Sequence, residues 1–327
     1  MYDKPFLDYN ELLCRLESEY KLNIPDRDAV EHYISTTSYY TLINGYKEVF
    51  MTNGKFDDNI LLDHIFLFHH FDVGMQNILF KYGLYAEQFF KTKLSYTISK
   101  HIGVHQDEYL NSRQYENRYR SYILMDTLAN LKKVYEQEHT EDPTRHYKDT
   151  KNHIPSWILF QNANFNDVIN LYTFLKPPNK EEVSQNLYKG LKIDNLDKMV
   201  LCKKNLHMIR KFRNKIAHRM KFISYRVPDE YALPKTIVSI FPETIIRKSE
   251  YTRGIGKNNL YGFFLSLLLI LDDYYLRIQL LIELKTHIEL FEMYDQHTAL
   301  YKKYLEVTDL PLDFKERLDE LFSFYST

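Results

Sequence analysis

Apolar side chains recur every three to four positions along almost the whole chain, and a period near 3.6 commits such a chain to amphipathic helices packed on one another. With only 9 glycines in 327 residues, a turn-rich all-β fold and a Gly-rich phosphate loop are both disfavoured. The pattern predicts helices over 11–20 (capped by Asp8 or Asn10) and 25–34, opened by Pro25-Asp26. A short helix follows from Ser38 through Tyr46, which Gly45 ends or kinks. After the Asn53-Gly54-Lys55 turn, a helical region runs over 57–82, is interrupted at Gly83 and resumes over 84–100. Further helices are expected over 113–138, 156–175, 184–189 and 196–220, with Pro177-Pro178-Asn179 as a break.

From 222 to 257 the texture changes. Pro228, Pro234 and Pro242 alternate with β-branched groups at 236–238 and 244–246, which suits an irregular excursion or a small hairpin. A long helix over 259–293 and two short ones close the chain. The expected fold is therefore all-α, a helical bundle with a small non-helical insertion around 222–257. Its organisation reads as an N-terminal helical extension packed on the core (1–56), a main helical domain (57–295) and a C-terminal helical tail (296–327).

The most apolar run, 260–271, is 12 residues long and closed by two aspartates, short of the roughly 20 a bilayer needs, so it is expected as a core helix and no membrane is implied. The first residues lack a basic stretch leading into an apolar one. Two isolated cysteines, Cys14 and Cys202, supply neither a disulfide framework nor a thiolate metal site, and a reducing cytoplasm is expected.

Charge is nearly balanced overall, at -1, yet very uneven in places. From Lys198 to Lys221 there is no acidic residue and there are nine basic ones. A patch of one sign attracts a polyanion by concentrating phosphates and releasing their counterions. Lys203, Lys204, Arg210, Lys211, Lys215, Arg219 and Lys221 are the expected RNA contacts. Within the run, Arg213-Asn214-Lys215-Ile216-Ala217-His218 sets a permanent cation near a group that titrates close to neutrality.

That pairing suits cleavage of RNA by its own 2′-hydroxyl. The reaction needs a base for the 2′-OH proton, an acid for the leaving 5′-oxygen and a cation to offset charge on the phosphorane. No metal and no cofactor are called for. On an ideal helix Arg213 and His218 lie about 140° apart, so they converge only if the helix ends or bends there. Asn214 and His218 are four apart on one face, which would let Asn214 orient the imidazole. One motif supplies one histidine, whereas an acid and a base are needed, so two facing copies would complete a site. The same patch without chemistry would serve a non-catalytic RNA-binding protein that holds a structured small RNA.

At these residues the chain resembles the HEPN superfamily, whose signature is R-x4–6-H, and more narrowly the Abi family of abortive-infection proteins, the AbiD/AbiF-like group. The likeness extends to Ser38-Tyr39-Tyr40-Thr41-Leu42-Ile43-Asn44-Gly45-Tyr46, similar to an S-Y-Y-R-L-x-G-Y element with Thr41 in place of Arg. It also takes in Phe71-Asp72, the stretch 87–97 (EQFFKTKLSYT) and Ile154-Pro155-Ser156-Trp157. The resemblance implies a HEPN-type helical core and a metal-independent endoribonuclease toxin working as a homodimer in phage defence or a toxin–antitoxin system. It places Arg213 and His218 at the catalytic positions with Asn214 as polar neighbour, and in some relatives a structured small RNA restrains the toxin. In relatives regulated by nucleotidyl transfer a Tyr acceptor follows the motif; here Arg219-Met220 follows His218, and no acceptor is present.

Glu87 and Lys91, four apart, either form a helix salt bridge or line the site across from His218. His101 and His105 have metal-ligand spacing, but Gly103 between them weakens any helix that would align them. Phe68-His69-His70-Phe71 reads as core aromatics with polar edges. There is no H-E-x-x-H, G-x-S-x-G, Walker loop or C-x-x-C, which removes support for protease, kinase and NTPase chemistry.

Overall fold

The structure, a computed structural model, describes residues 5–116, 121–137, 140–219 and 221–326. Met1 to Lys4, and the expected helix ends at Glu138 and Met220, lie outside these residues. The fold is all-α, with one two-stranded hairpin among the described residues.

Several helix starts fall where the capping chemistry puts them. Asp8 and Glu11 form a reciprocal capping box at the head of Tyr9–Ser18, with both bonds at 2.8 Å. Asp26 caps Arg27–Thr37 by accepting from the Ala29 amide at 3.0 Å. The Asn53-Gly54 turn, with both residues at positive φ, closes the hairpin Met51–Thr52/Lys55–Phe56, as a type I′ turn requires.

Five local expectations are corrected. Gly45 neither ends nor kinks a helix: at φ -64° it carries the π-helical turn Tyr40–Asn44 straight into Gly45–Phe50. Gly83 does not interrupt the long helix, which runs unbroken over Leu62–His101. A Cβ there would meet Arg213 Cβ at 3.6 Å, an ordinary contact, so this glycine sits in a continuous helix that would also accept alanine. Pro177 and Pro178 begin a helix, Pro177–Leu187, because the first turn has no partner for the amide that proline lacks. The helix expected over 156–175 is two, Ser156–Asn162 and Phe165–Thr173, divided at extended Ala163 and Asn164. That expected over 259–293 is also two, Leu260–Ile270 and Tyr274–Glu292, because Asp273 accepts from the Leu276 amide at 2.8 Å and starts a new helix.

The 222–257 insertion is not wholly non-helical and contains no hairpin. It holds a 3-10 turn, Asp229–Tyr231, and the short helices Ile237–Ile240 and Lys248–Thr252. Prolines space these turns too closely for a ladder to form.

The chain divides into two compact units, 1–78 with 282–315 and 79–281 with 316–327. In the first, buried Phe50, Phe68, Phe71 and Tyr304 form a connected set of rings, and Tyr304 reaches the carboxylate of Asp72. Asp72 is itself buried and accepts from Gln76 at 2.7 Å, Tyr46 at 2.8 Å and Tyr304 at 3.1 Å. Burial pushes its pKa up to about 6, against these hydrogen bonds, which favour the carboxylate. His69, whose Nδ1 lies 3.0 Å from the Tyr46 hydroxyl, is pushed down to about 4 by burial and then by His70. In the second unit Leu260–Ile270 is buried throughout, and Arg317 reaches Glu250 through both terminal nitrogens and the Ile245 carbonyl through one of them.

Candidate active site

The helix Asn195–Ala217 carries the basic run. Asp194 caps it, accepting from the Asp197 amide at 2.7 Å, so acid stands at the positive end of the helix dipole and base gathers toward the negative end. Leu201, Leu206, Ile209, Phe212 and Ile216 turn one stripe into the core, and Phe212 stacks on Phe263 of the apolar helix at 4.9 Å. Asn205, buried beside them, donates to the Tyr188 hydroxyl at 2.9 Å.

The helix stops at the end of the motif. His218 is its C-cap, at φ -92° and ψ 9°, with its amide bonded to the Asn214 carbonyl, and Arg219 follows at φ 48° in the left-handed region. The helix therefore ends at the last residue of the motif, and the helical backbone through Ala217 still sets the angular offset between Arg213 and His218. His218 and Arg219 are both exposed.

Arg213 is held from two sides. Its Nη2 lies 2.8 Å from Glu87 Oε2, an ion pair set off the direction of an aligned hydrogen bond, and its Nη1 donates to Asn214 Oδ1 at 3.0 Å. Glu87 Oε1 is 2.7 Å from Lys91 Nζ, which donates in turn to the Ala163 carbonyl at 2.9 Å. Glu87 and Lys91 are 8% and 9% exposed, so this is a buried pair whose charges must be answered locally. One carboxylate between two cations leaves a net positive charge beneath the motif. The structure thus brings Glu87 and Lys91 to Arg213. It gives the Asn214 side chain to the guanidinium, where the spacing suggested the imidazole.

The remaining basic residues are of two kinds. Lys203, Arg219 and Lys221 are exposed; Lys204, Arg210, Lys211 and Lys215 are half-buried. Lys215 Nζ stands 4.7 Å from the centre of the Tyr225 ring and Lys211 Nζ 5.5 Å from that of Tyr231. Arg210 has its pKa lowered by burial, partly offset by Tyr231 and Tyr225. His207, 6% exposed and 4.5 Å from Tyr231 between ring centres, is pushed down to about 3 by burial and then by Arg210, Lys203 and Lys211, so it is neutral at physiological pH. Sequence reasoning missed Tyr225, Tyr231, His207 and the Ala163 carbonyl. His207 could have been found, since it sits inside the basic run; the tyrosines belong to the proline-rich insertion, whose return onto this helix has no local signature.

His101 and His105 do not share a site: His101 Nε2 is 2.6 Å from Glu182, whereas His105 caps the helix Gln106–Tyr109. Among the described residues no group of three or more His, Cys, Asp or Glu is placed to hold a metal ion, and no helix is long and apolar enough to cross a membrane.

Fold and site together define an all-α protein with a basic helix that ends at an Arg/His motif backed by a buried glutamate. The chain belongs to the Abi-like protein family, whose model matches residues 32–224, more than half its length, and this membership points to a role in abortive infection. No curated protein and no solved structure matches it. The segments that carried the resemblance meet in space within each unit. Tyr46 donates to Asp72, Glu87 pairs with Arg213, and the Ser156 hydroxyl donates to the Ser95 carbonyl at 3.2 Å.

Proposed function

We propose that the chain is a metal-independent endoribonuclease of HEPN type, AbiD/AbiF-like, acting in the cytoplasm as the toxin of an abortive-infection or toxin–antitoxin system. The observation that supports this reading is that the acid-free basic helix ends at His218, with Arg213 near that end held by Glu87 and Asn214. An imidazole takes the proton of the 2′-hydroxyl as that oxygen attacks phosphorus. The P–O5′ bond breaks, and an imidazolium returns a proton to the departing 5′-oxygen. The products are a 2′,3′-cyclic phosphate and a free 5′-hydroxyl. Arg213 offsets the charge that builds on the phosphorane. Because each motif has one histidine, acid and base come from two copies, and the working form is a homodimer.

Lys203, Lys204, Arg210, Lys211, Lys215, Arg219 and Lys221 supply the electrostatic footprint for RNA, and a structured small RNA is a fitting regulator for that surface. A second possibility, RNA binding without cleavage, is favoured by one observation: both terminal nitrogens of Arg213 already have protein partners. Incubation of labelled RNA with the protein in EDTA separates the two. Cleavage that leaves cyclic phosphate ends supports the nuclease, and intact RNA held in a salt-sensitive complex supports the binding protein.

A further inference from the structure

Two tyrosines of the insertion stand over the basic helix in a repeated arrangement. Lys211 and Lys215, one helical turn apart, each hold an ammonium over a ring, Tyr231 at 5.5 Å and Tyr225 at 4.7 Å. Each ring is backed by another: His207 lies 4.5 Å from Tyr231, and Phe212 meets Tyr225 edge-on at 5.0 Å. The rings are therefore fixed by packing, whereas the lysine heads at the ends of flexible stems are the parts free to shift. Two buried polar atoms in the same place have no hydrogen-bond partner, Nδ1 of His207 and Nε of Arg210. His207 is more than nine-tenths buried, and an orphaned polar atom at that depth is costly unless a further group completes it.

We infer that Tyr225 and Tyr231, with Lys211 and Lys215, form a stacking subsite for unpaired RNA bases next to the motif, an inference that rests on the proposal that the polyanion is RNA. On binding, each ammonium moves to a phosphate and the ring face it leaves takes a base. The lysines are about 6 Å apart along the axis, and Lys215 is about 4.5 Å short of His218, so the subsite leads a strand toward the helix end. A duplex, whose bases are already stacked inside it, cannot use the rings.

The test uses the full chain carrying His218→Ala, so that RNA is not cut during measurement. Binding of a labelled single-stranded oligonucleotide and of its duplex is followed by anisotropy across a salt series. Tyr225→Leu and Tyr231→Leu are each expected to weaken single-strand binding roughly five- to hundredfold, as loss of one stacked base does. Duplex binding and the salt slope should stay as they were, since no cation is removed. Tyr225→Phe and Tyr231→Phe should bind like the parent. Equal losses on single strand and duplex, no loss at all, or a Phe variant as weak as Leu would each overturn the subsite.

Should a Leu variant fail to fold, photocrosslinking of bromouridine-containing RNA to the unmutated chain decides: adducts at Tyr225 or Tyr231 support it, and adducts elsewhere alone refute it. The nuclease proposal is judged separately on cleavage by the unmutated chain. Selective loss in the Leu variants with no cleavage keeps the subsite and removes the nuclease. Cleavage with unaltered binding in the Leu variants does the reverse.

Discussion

His218→Ala is expected to abolish RNA cleavage and toxicity while leaving RNA binding largely intact, because an exposed C-cap side chain contributes little to the fold. Arg213→Ala should damage both, since it removes the cation proposed to meet phosphate and strands Glu87, a buried carboxylate, with Lys91 alone. Rates measured alongside binding constants separate the two variants. A third residue links stability to pH. The folded chain keeps His207 neutral down to about 3, whereas the unfolded chain protonates it near 6.5. The unfolded state therefore binds more protons in that window, and stability from this group, fully present above pH 6.5, is lost as pH falls toward 3. The cost is on the order of 1 kcal/mol per pH unit. His207→Phe should flatten the fall of the thermal midpoint between pH 6.5 and 4.5; a fall as steep as in the parent would assign the acid sensitivity to other groups.

Two glycines of the helix Leu62–His101 make opposite predictions from the same local propensity. Gly→Ala in a helix interior ordinarily gains up to about 1 kcal/mol. At Gly83 the new methyl group would meet Arg213 Cβ and Cγ at 3.6 and 3.7 Å, an ordinary contact, so Gly83→Ala should be neutral or stabilising. At Gly74 it would collide with the His287 ring, which cannot swing away. That ring stacks on Phe71 at 4.8 Å, and its Nε2 lies 2.9 Å from the Phe71 carbonyl. Gly74→Ala should therefore destabilise by roughly 1–3 kcal/mol, the usual cost of overpacking. Denaturant midpoints of the two variants, measured side by side, check both. Equal shifts would mean that helix propensity alone governs these positions.

The composite-site proposal belongs to the assembly. A dimer with one His218→Ala chain should lose far more than half its activity, because acid and base come from different copies. Differentially tagged co-expression and purification of the mixed species give the measurement, and retention of half the activity would mean that each copy cuts alone. Cleavage that persists in EDTA and leaves cyclic phosphate ends would fit the same chemistry.

The sequence by itself determined the all-α class, several helix starts and the position of the basic motif. These depend on local physics: the 3.6-residue period, side-chain caps such as Asp8 and Asp26, and a run of charge uninterrupted by acid. It misjudged Gly45, Gly83 and Pro177-Pro178 because the local meaning of a glycine or proline depends on what packs against it and on which turn it occupies. The grouping of 1–78 with 282–315 lay beyond any local pattern, since hydrogen bonds such as Tyr304 to Asp72 span 232 positions. The environment of Arg213 was legible only in part. Glu87 and Lys91 showed themselves as an i,i+4 pair, but their approach to Arg213 is a contact between distant segments, and the return of Tyr225 and Tyr231 onto the basic helix follows from how the insertion packs. Only the tertiary structure decided these, because burial and charge pairing between distant segments are properties of the packed chain and have no counterpart in the local period of the sequence.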